Sequence, residues 1–347
     1  FRKLKEELSE ITITLESYPF FIKEIDNKDE NNPEGENASM YEKDFYSGQK
    51  ILFAMFFSCD LKSQNGEPNN EDEKKIHPKY ITTKIGNEEC ISSVLEYYGY
   101  SIKVVTNYEE AINELCKTNR ENKCEYNSLW VVSGKEIPDL PSNNGDINAP
   151  YYVGQFVDCA IQFWKNGGSL VLLGENDPYT FQINLILKKL VFPNGKNKNI
   201  GFQIGGNHLG GKILEPDESG ELNKKKTFNK KIQEKNNVQR ESIAKHLKKI
   251  FEGKTVAFAQ GDIKPFIPFS RDSEGGINSL FYNGNDNGDG YGEGDIFIDC
   301  GYTKFFLNMK ECGTAKYLQN IGGFIGSAER RARIDKIFNC PKMYRPD

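Results

Sequence analysis

Three polar or reactive stretches of the sequence carry residue types that could do chemistry, and the first is a turn at 174–180 (GENDPYT). The turn follows the apolar run SLVLL and precedes a helix-like run. In open α/β sheets, ligands bind beyond the carboxyl ends of strands, where helix N-termini present free N–H groups. A covalent hydrolase would place Cys or Ser on such a turn, but this turn offers Glu175, Asn176 and Asp177. We interpret Asn176 or Asp177 as a turn and N-cap residue and keep all three as ligand-pocket candidates.

The second set of candidates is a thiol and an imidazole, which lie in two separate segments of the sequence. Cys59 follows the first apolar run (FFSCDLK), at the expected carboxyl end of a strand. A reactive thiol needs a positive, partly exposed environment. The sequence around Cys59 shows no such environment, so the favoured interpretation is a half-buried structural cysteine. His208 lies in the glycine-dense segment GGNHLGG, which lacks the spacing of a phosphate-binding loop and favours a tight, bulged loop. Cys59 and His208 are the catalytic candidates if the protein is an enzyme.

The third stretch, at 283–295 (NGNDNGDGYGEGD), alternates oxygen-bearing side chains with glycines. Counted as a calcium loop, it has oxygens at positions 1, 3, 5 and 9, but position 12 is Ile296, where a bidentate Glu belongs. A hairpin tip between two strands is therefore the favoured interpretation, and weak calcium binding is the alternative. The residues of that weak metal site would be Asn285, Asn287, Asp289 and Glu293.

The composition excludes several classes of protein. The chain has 347 residues, of which 37% are hydrophobic and 27% charged, and its net charge of −5 offers no basic surplus for nucleic acid. No run approaches the ~18 apolar residues of a membrane span. The eight cysteines form no CxxC pair and there are only three histidines, so no zinc site is predicted. We expect a reducing compartment, and the sequon at Asn37 leaves secretion as an alternative.

Strand-like and helix-like segments alternate through the first half of the chain. The apolar runs typical of buried strands are at 51–58, 102–106, 129–133 and 169–173. Helical spacing predicts helices at 88–98, 108–116, 154–164 and 181–191. This alternation favours right-handed crossovers and parallel pairing. We predict an α/β fold, flavodoxin-like or Rossmann-like, with a doubly wound, mostly parallel sheet and a more β-rich C-terminal part.

The second half is predicted to have a different organisation. A helix is predicted at 238–251, strands follow at 255–259, 266–269, 277–282 and 295–300, and the last helix is at 314–325. The predicted division of the chain is an N-terminal extension and linker (1–48), an α/β domain (49–326) and a basic tail (327–347). The domain carries polar or charged insertions at 60–80, 138–150 and 215–237. Lysines and acids are interleaved in the last of these, which favours a solvated loop over a partner contact.

The series LWVVSG, a helix ending in NGG, SLVLLGEN and FQINLILKKL resembles the class I glutamine amidotransferase-like superfamily. It is most similar to the inactive branch, which includes amidotransferase-like domains of gliding-motility ABC proteins and of an intraflagellar-transport subunit. The run 294–325 resembles the end of such domains in larger proteins, where an "RVVVDxGFTKLF…GTARYxxN" pattern closes the fold. The resemblance covers about residues 49–325 in patches, through structural glycines and strands.

The resemblance implies an absence of amidotransferase chemistry. It puts the nucleophile position within 175–177, where no Cys or Ser occurs, and matches Gly134 to the glycine that helps to form the oxyanion hole. The His–Glu partner has no equivalent, since His246 falls on a predicted surface helix and His77 in the acidic insertion. Without thiolate or imidazole, glutamine hydrolysis cannot follow its usual covalent route.

We therefore expect a non-catalytic interaction or scaffold module, a structural subunit of a larger assembly that contacts other proteins through its insertions and tail. No cofactor, nucleic acid or membrane span is expected. The expected location is cytoplasmic, with a cytoskeletal or ciliary setting suggested by analogy. The alternative is a small-molecule hydrolase or ligand-binding protein with a pocket of Cys59, Gly134, Asn176 and His208 at the carboxyl edge of the sheet. A third interpretation is a calcium-responsive structural protein.

Overall fold

The computed structural model describes residues 49–56, 91–117, 124–135, 149–192, 200–231, 243–284, 294–309 and 312–325. The predicted extension and tail, the insertion at 60–80, Cys59, His77 and the four calcium-loop candidates (Asn285, Asn287, Asp289 and Glu293) lie outside the described residues. The predicted domain boundaries therefore stay predictions.

In chain order the elements are β1 (Gln49–Met55), α1 (Ile91–Tyr97), β2 (Tyr100–Val105), α2 (Tyr108–Leu115), β3 (Ser128–Val132), α3 (Ala149–Lys165), β4 (Ser169–Leu173), α4 (Phe181–Lys189), β5 (Gly201–Leu209), β6 (Ile213–Asp217), β7 (Thr227–Asn229), β8 (Ile250–Phe251), β9 (Thr255–Asp262), β10 (Ile267–Arg271), β11 (Ile277–Tyr282), β12 (Ile296–Asp299), α5 (Lys304–Leu307) and α6 (Thr314–Ile325). The strand and helix segments predicted in the first half are present, with ends shifted by a few residues. Asn107 is the N-cap of α2, because its Oδ1 accepts a hydrogen bond from the Glu110 N–H at 2.8 Å.

One half of the sheet is parallel and has the strand order β2-β1-β3-β4-β12. This is the 2-1-3-4-5 order of flavodoxin-like folds, with β12 as the fifth strand. Strands β3 and β4 are buried at every position, which explains why their sequences are continuous apolar runs. Because side chains alternate between the faces of a strand, Leu52 and Leu129 pack on one face and Phe53 and Trp130 on the other.

Helices cover both faces of the parallel half. Apolar side chains of α2, α3 and α4 join one core cluster, and those of α1 and α6 join the other. The prediction of a doubly wound α/β fold is confirmed at this level. None of the helices among the described residues combines the length and the apolarity needed to cross a bilayer.

The other half of the sheet is mainly antiparallel. Beyond β12 the order continues β11-β10-β7-β6-β8, and among the described strand pairs there only β6 and β7 are parallel. The predicted β-rich C-terminal part is therefore present. Strands β11 and β12 are an antiparallel pair, as expected for a hairpin around 283–295. The stretch 215–237, treated as an insertion in the sequence, contributes β7 and part of β6 to the sheet.

Two expectations about local structure are wrong. The described part of the predicted helix at 238–251 consists of turns followed by β8, and His246 adopts a positive φ of 57°, which no α-helix contains. The predicted loop around His208 is part of β5, which pairs with β9 in a separate two-stranded ribbon. The expected bulge is present as a register shift between Gly205 and His208.

Candidate functional site at the carboxyl edge of the sheet

Glu175 lies just beyond the carboxyl end of β4 and is almost completely buried, with 2% of its surface exposed. The backbone N–H of Thr303 donates to its Oε2 at 2.7 Å, and the Thr255 hydroxyl lies 2.7 Å from its Oε1. Burial is the main cause of a pKa raised to about 8, which the two threonines and Lys304 partly offset. The carboxyl is therefore mostly protonated at pH 7 and joins three separate segments of the chain.

Asn176 extends this hydrogen-bond network. Its Oδ1 accepts from the Thr255 hydroxyl at 3.0 Å, while that hydroxyl also contacts Glu175. A threonine hydroxyl carries a single hydrogen. Since Glu175 is mostly protonated, the proton order that satisfies all three groups runs from the carboxyl to Thr255 Oγ1 and from Thr255 to Asn176.

Asp177 fastens the turn to β5. Its Oδ2 accepts from the Gly206 N–H at 2.6 Å, and its own N–H donates to the Gly206 carbonyl at 3.0 Å. Its Oδ1 accepts from the hydroxyl of Thr180, which is the residue at the N-cap position of α4. The N-cap part of the interpretation of Asn176 or Asp177 is therefore wrong, because Thr180 occupies that position. The predicted turn is present, and the Tyr179 N–H donates to the Asn176 carbonyl at 2.9 Å.

Gly134 lies beyond β3, next to the point between β1 and β3 where the strand order reverses. Its N–H donates to Gln182 Oε1 at 2.7 Å, and its carbonyl accepts from the Phe181 N–H at 3.3 Å. Gln182 is 1% exposed and also exchanges hydrogen bonds with Ser133 and Tyr108. The N–H matched by resemblance to an oxyanion-hole glycine is thus taken by a glutamine that the sequence analysis did not single out.

His208 is held by a buried aspartate. Its Nδ1 lies 2.8 Å from Asp272 Oδ2, its Nε2 lies 3.7 Å from Glu274 Oε2, and its ring stacks on Phe258 at 4.1 Å between centroids. Asp272 is 1% exposed, and its Oδ1 accepts three backbone N–H groups, those of residues 274, 275 and 276. The imidazole is thus oriented by a buried carboxylate on its Nδ1 side and faces a second carboxylate, that of Glu274, on its Nε2 side.

A buried ion pair at the end of β12 was missed by the sequence analysis. Lys304 Nζ lies 2.8 Å from Asp299 Oδ2, and the Tyr317 hydroxyl donates to the same oxygen at 2.7 Å. The Gly301 N–H donates to Asp299 Oδ1 at 2.9 Å. The D-x-G-x-T-K spacing in the run at 294–325 is the signal that could have identified the pair.

The described cysteines offer no accessible thiolate. The thiols of Cys124, Cys159, Cys300 and Cys312 are buried. Burial raises the pKa of Cys300 well above its ordinary value, and raises those of Cys124 and Cys159 to about 11. Cys116 is disulfide-bonded. Within the described residues, no three His, Cys, Asp or Glu side chains cluster as a metal site requires.

The sequence-predicted site residues thus come together only in part. Glu175 and Asn176 meet at Thr255, and the β9 partner of His208 is Val256, the next residue along that strand. Gly134 is bound instead to the start of α4. Asp177 also borders an open cleft of about 530 Å³ between α4 and β5, whose lining includes Asn184, Lys188 and Phe202.

No protein-family model and no curated protein matches the chain. Solved structures similar to it include the N-terminal domain of IFT52, at 10% identity and a TM-score of 0.39, with 80% of this chain and 98% of that chain covered. A cytoplasmic protein from Salmonella typhimurium LT2 is 10% identical, with a TM-score of 0.41 and coverages of 80% and 99%. A glutamine amidotransferase from Thermotoga maritima is 6% identical, with a TM-score of 0.33 and coverages of 83% and 99%. At these scores the likenesses carry no argument about function.

Proposed function

We propose that this chain is a non-catalytic, amidotransferase-like module that works by contacting other proteins, as a structural subunit of a larger assembly. The burial of Glu175 carries the proposal. The resemblance puts the attacking group of an active relative in this turn, whereas Glu175 is 2% exposed and hydrogen-bonded to residues from two distant segments. A mostly protonated, enclosed carboxyl fastens the fold and cannot attack a substrate.

The surroundings of Glu175 support the same conclusion. An oxyanion hole needs donors aimed at the place where charge develops, but the N–H of Gly134 is already bonded to Gln182. A covalent route also needs a thiolate in a positive, partly exposed environment. Cys300, at the carboxyl end of β12, has the opposite environment, since its thiol is fully buried and its pKa is raised.

Exposed groups on a rigid sheet favour a role in binding proteins. Leu209 is 75% exposed at the end of the β5–β9 ribbon. Lys224, Lys225 and Lys226 lie exposed in the connection between β6 and β7, on a segment held by strand pairing. Binding a partner through the three lysines would order little additional backbone, because β6 and β7, which flank them, belong to the ten-stranded sheet.

The first test concerns catalysis. Purified full-length protein is incubated with L-glutamine and the release of ammonia is measured. We expect release at the level of the buffer alone, both for the wild-type chain and for Cys59→Ala. Ammonia release that the wild-type chain shows and Cys59→Ala lacks would overturn the proposal.

The second test concerns assembly. The tagged full chain is sized by gel filtration in an extract of its own cells, beside the purified chain. We expect the chain in the extract to elute with an apparent mass several times that of the 39.5 kDa monomer, and with a constant set of companions. Elution at the monomer mass at every salt concentration contradicts a subunit role.

The proposed location is cytoplasmic, in a cytoskeletal or ciliary setting. The alternative is secretion, which the sequon at Asn37 leaves open. Fluorescence microscopy of the tagged chain distinguishes the two, since secretion would place the signal in the secretory pathway.

A second candidate function, a small hydrolase, is favoured by the Asp272–His208 pair. A buried carboxylate that orients an imidazole is the arrangement of a general base. The test compares the rates at which the wild-type chain, His208→Ala and His246→Asn hydrolyse p-nitrophenyl acetate. His246→Asn is the control, because Asn tolerates the positive φ at that turn. We expect all three rates to equal the background rate. A rate that falls only in His208→Ala would support the hydrolase.

A further inference from the structure

The outer edge of β5 is the side that faces away from its partner β9. At Ile204 the main-chain groups on this edge bond to a side chain and not to a neighbouring strand. The Ile204 N–H donates to Asn184 Oδ1 at 2.8 Å, and Asn184 Nδ2 donates to the Ile204 carbonyl at 2.8 Å. A primary amide presents a donor and an acceptor side by side, as a backbone residue in a strand does. Asn184, on α4, therefore satisfies both main-chain groups of Ile204.

The same edge is closed at Gly206 by the turn before α4. Asp177 Oδ2 accepts from the Gly206 N–H, and the Asp177 N–H donates to the Gly206 carbonyl. Two successive outward-facing residues of β5 are thus bonded by groups of the same neighbouring segment, which protects the strand from pairing with other chains there.

The next outward-facing residue, Phe202, lacks such a partner within the described residues. Strands alternate between residues that bond to one neighbour and residues that bond to the other, and no register shift separates Phe202 from Ile204. The main-chain N–H and C=O of Phe202 therefore point to the same side as those of Ile204. That side faces the cleft between α4 and β5.

Lys188 occupies the position on α4 that corresponds to Phe202. It lies one helical turn beyond Asn184, about 6 Å along the axis, which matches the roughly 6.6 Å of two strand residues. Both Lys188 and Phe202 line the cleft. An ammonium has donors only, so it cannot accept the Phe202 N–H. Lys188 is exposed and forms no ion pair with another described residue.

The walls of the cleft are apolar on both sides of this edge. Phe181 and Leu185 from α4 and Ile200 before β5 are half-buried and line it, and the opposite end carries Asp177. The cleft thus offers a main-chain donor and acceptor, apolar contacts and a cation. These are the requirements of an extended peptide that adds a strand to a sheet, with its side chains in pockets.

We propose that the cleft binds an extended segment of a partner protein, which pairs with β5 at Phe202 and places an acidic side chain on Lys188. This inference rests on the proposed function, because it names the surface through which the module contacts another protein. The occupant is a strand and not a helix, since a helix has no main-chain groups to spare for the Phe202 N–H and C=O.

The test is a selection of random octapeptides, displayed on phage, against the full chain. Lys188→Asn is the discriminating variant, because its amide would close the edge at Phe202 as Asn184 does at Ile204. Lys189→Asn is the matched control, since Lys189 pairs with Asp158 at 2.6 Å. We expect selected peptides to carry an acidic residue among alternating apolar ones. They should bind the wild-type chain and the control equally, and Lys188→Asn about tenfold more weakly or worse, as the loss of two main-chain hydrogen bonds predicts.

Hydrogen exchange supplies a second measurement. A bound peptide should slow exchange of the Phe202 amide and leave the Ile204 amide unchanged, because Ile204 is already bonded. Failure to select peptides, equal binding by Lys188→Asn, or an unprotected Phe202 amide would each overturn the inference. The two proposals fail separately. A large assembly without Phe202 protection overturns only the cleft, and ammonia release lost in Cys59→Ala overturns only the proposed function.

Discussion

The ammonium of Lys304 lies within 2.9 Å of both carboxylate oxygens of Asp299, and neither side chain is more than 1% exposed. Tyr317 from α6 donates to the same carboxylate, and Lys304 lies 5.3 Å from the centre of its ring. The pair therefore connects the last parallel strand to the two C-terminal helices. Because both side chains are shielded from water, each charge is compensated by the other and not by solvent.

Breaking this pair from one side should be costly. Asp299→Asn leaves the Lys304 ammonium buried and uncompensated, and we expect a loss of about 3–5 kcal/mol in the free energy of unfolding. Combining it with Lys304→Met should recover part of that loss. Urea unfolding measures Asp299→Asn, Lys304→Met alone and the double variant. The control is Lys103→Ala, which breaks the exposed pair with Glu110 and should cost less than about 1 kcal/mol. Additive losses in the double variant would contradict mutual dependence.

Glu175 should make the folded state less stable as the pH rises. Its pKa is about 8 in the folded protein and 4.5 as the reference value, so between these values the folded chain holds a proton that the unfolded chain has released. The free energy of unfolding should fall by roughly 1.4 kcal/mol per pH unit in this window. Glu175→Gln keeps a donor for Thr255 and an acceptor for the Thr303 N–H, and should lose this slope.

Denaturant unfolding at pH 5, 6, 7 and 8 provides the measurement. The exposed Glu96→Gln variant is the matched control and should keep the wild-type slope. If Glu175→Gln and Glu96→Gln have the same pH profile as the wild-type chain, the carboxyl at 175 is not protonated in the fold.

Gly294 should tolerate no side chain. A Cβ at this position would overlap the Gly168 carbonyl oxygen, and Gly294 also exchanges hydrogen bonds with Trp164. Gly294→Ala should destabilise the protein by about 1–3 kcal/mol through overpacking. Gly154→Ala, in α3 with open space around the new methyl group, should instead add about 1 kcal/mol of helix propensity. Thermal unfolding of the two variants should shift in opposite directions.

The buried thiols should resist alkylation. Iodoacetamide reacts with thiolates, and burial both hinders access to Cys300 and raises its pKa. We expect no labelling of Cys124, Cys159, Cys300 or Cys312 in the native protein at pH 8, and complete labelling after urea and a reductant are added. Mass spectrometry of tryptic peptides assigns each site. Rapid native labelling of Cys300 would indicate an accessible, functional thiol.

The parallel half of the fold could be predicted because its elements are long and simply patterned. Fully buried strands such as β3 and β4 read as continuous apolar runs, and α6 was bounded correctly by its spacing. The charged stretch at 215–237 concealed β7, whose three residues include the polar Thr227 and Asn229. These polar side chains can be buried because they donate hydrogen bonds to the carbonyls of Lys224 and Gly220. A hydrophobic periodicity in the sequence cannot reveal such bonds.

Tertiary contacts also overrode two local patterns. Leu247 and Ile250 have helical spacing, but they reach the core from turns and a short strand, and His246, just before Leu247, has a positive φ. The glycines around His208 predicted a loop because glycine is weak in strands. Here Gly205 and Gly206 belong to a strand whose outer edge is bonded by Asp177 and Asn184.

The candidate site was predictable in position but not in chemistry. The carboxyl end of β4 follows from the strand–turn–helix pattern, and Glu175 stands there. Its partners Thr255 and Thr303 are 80 and 128 residues away in sequence. A single sequence carries no signal for such distances, so neither the burial of the carboxyl nor its raised pKa could be inferred.

The late position of β12 has a consequence for biosynthesis. Strands β1 to β4 leave the ribosome long before the strand that pairs with β4 on its other side. At about 5–20 residues per second, the stretch between Leu173 and Ile296 takes on the order of ten seconds to synthesise. Until then a nascent chain exposes an apolar edge five residues long, which can pair with other nascent chains. Chaperone supply during translation, more than the final stability, should therefore limit the yield of this protein.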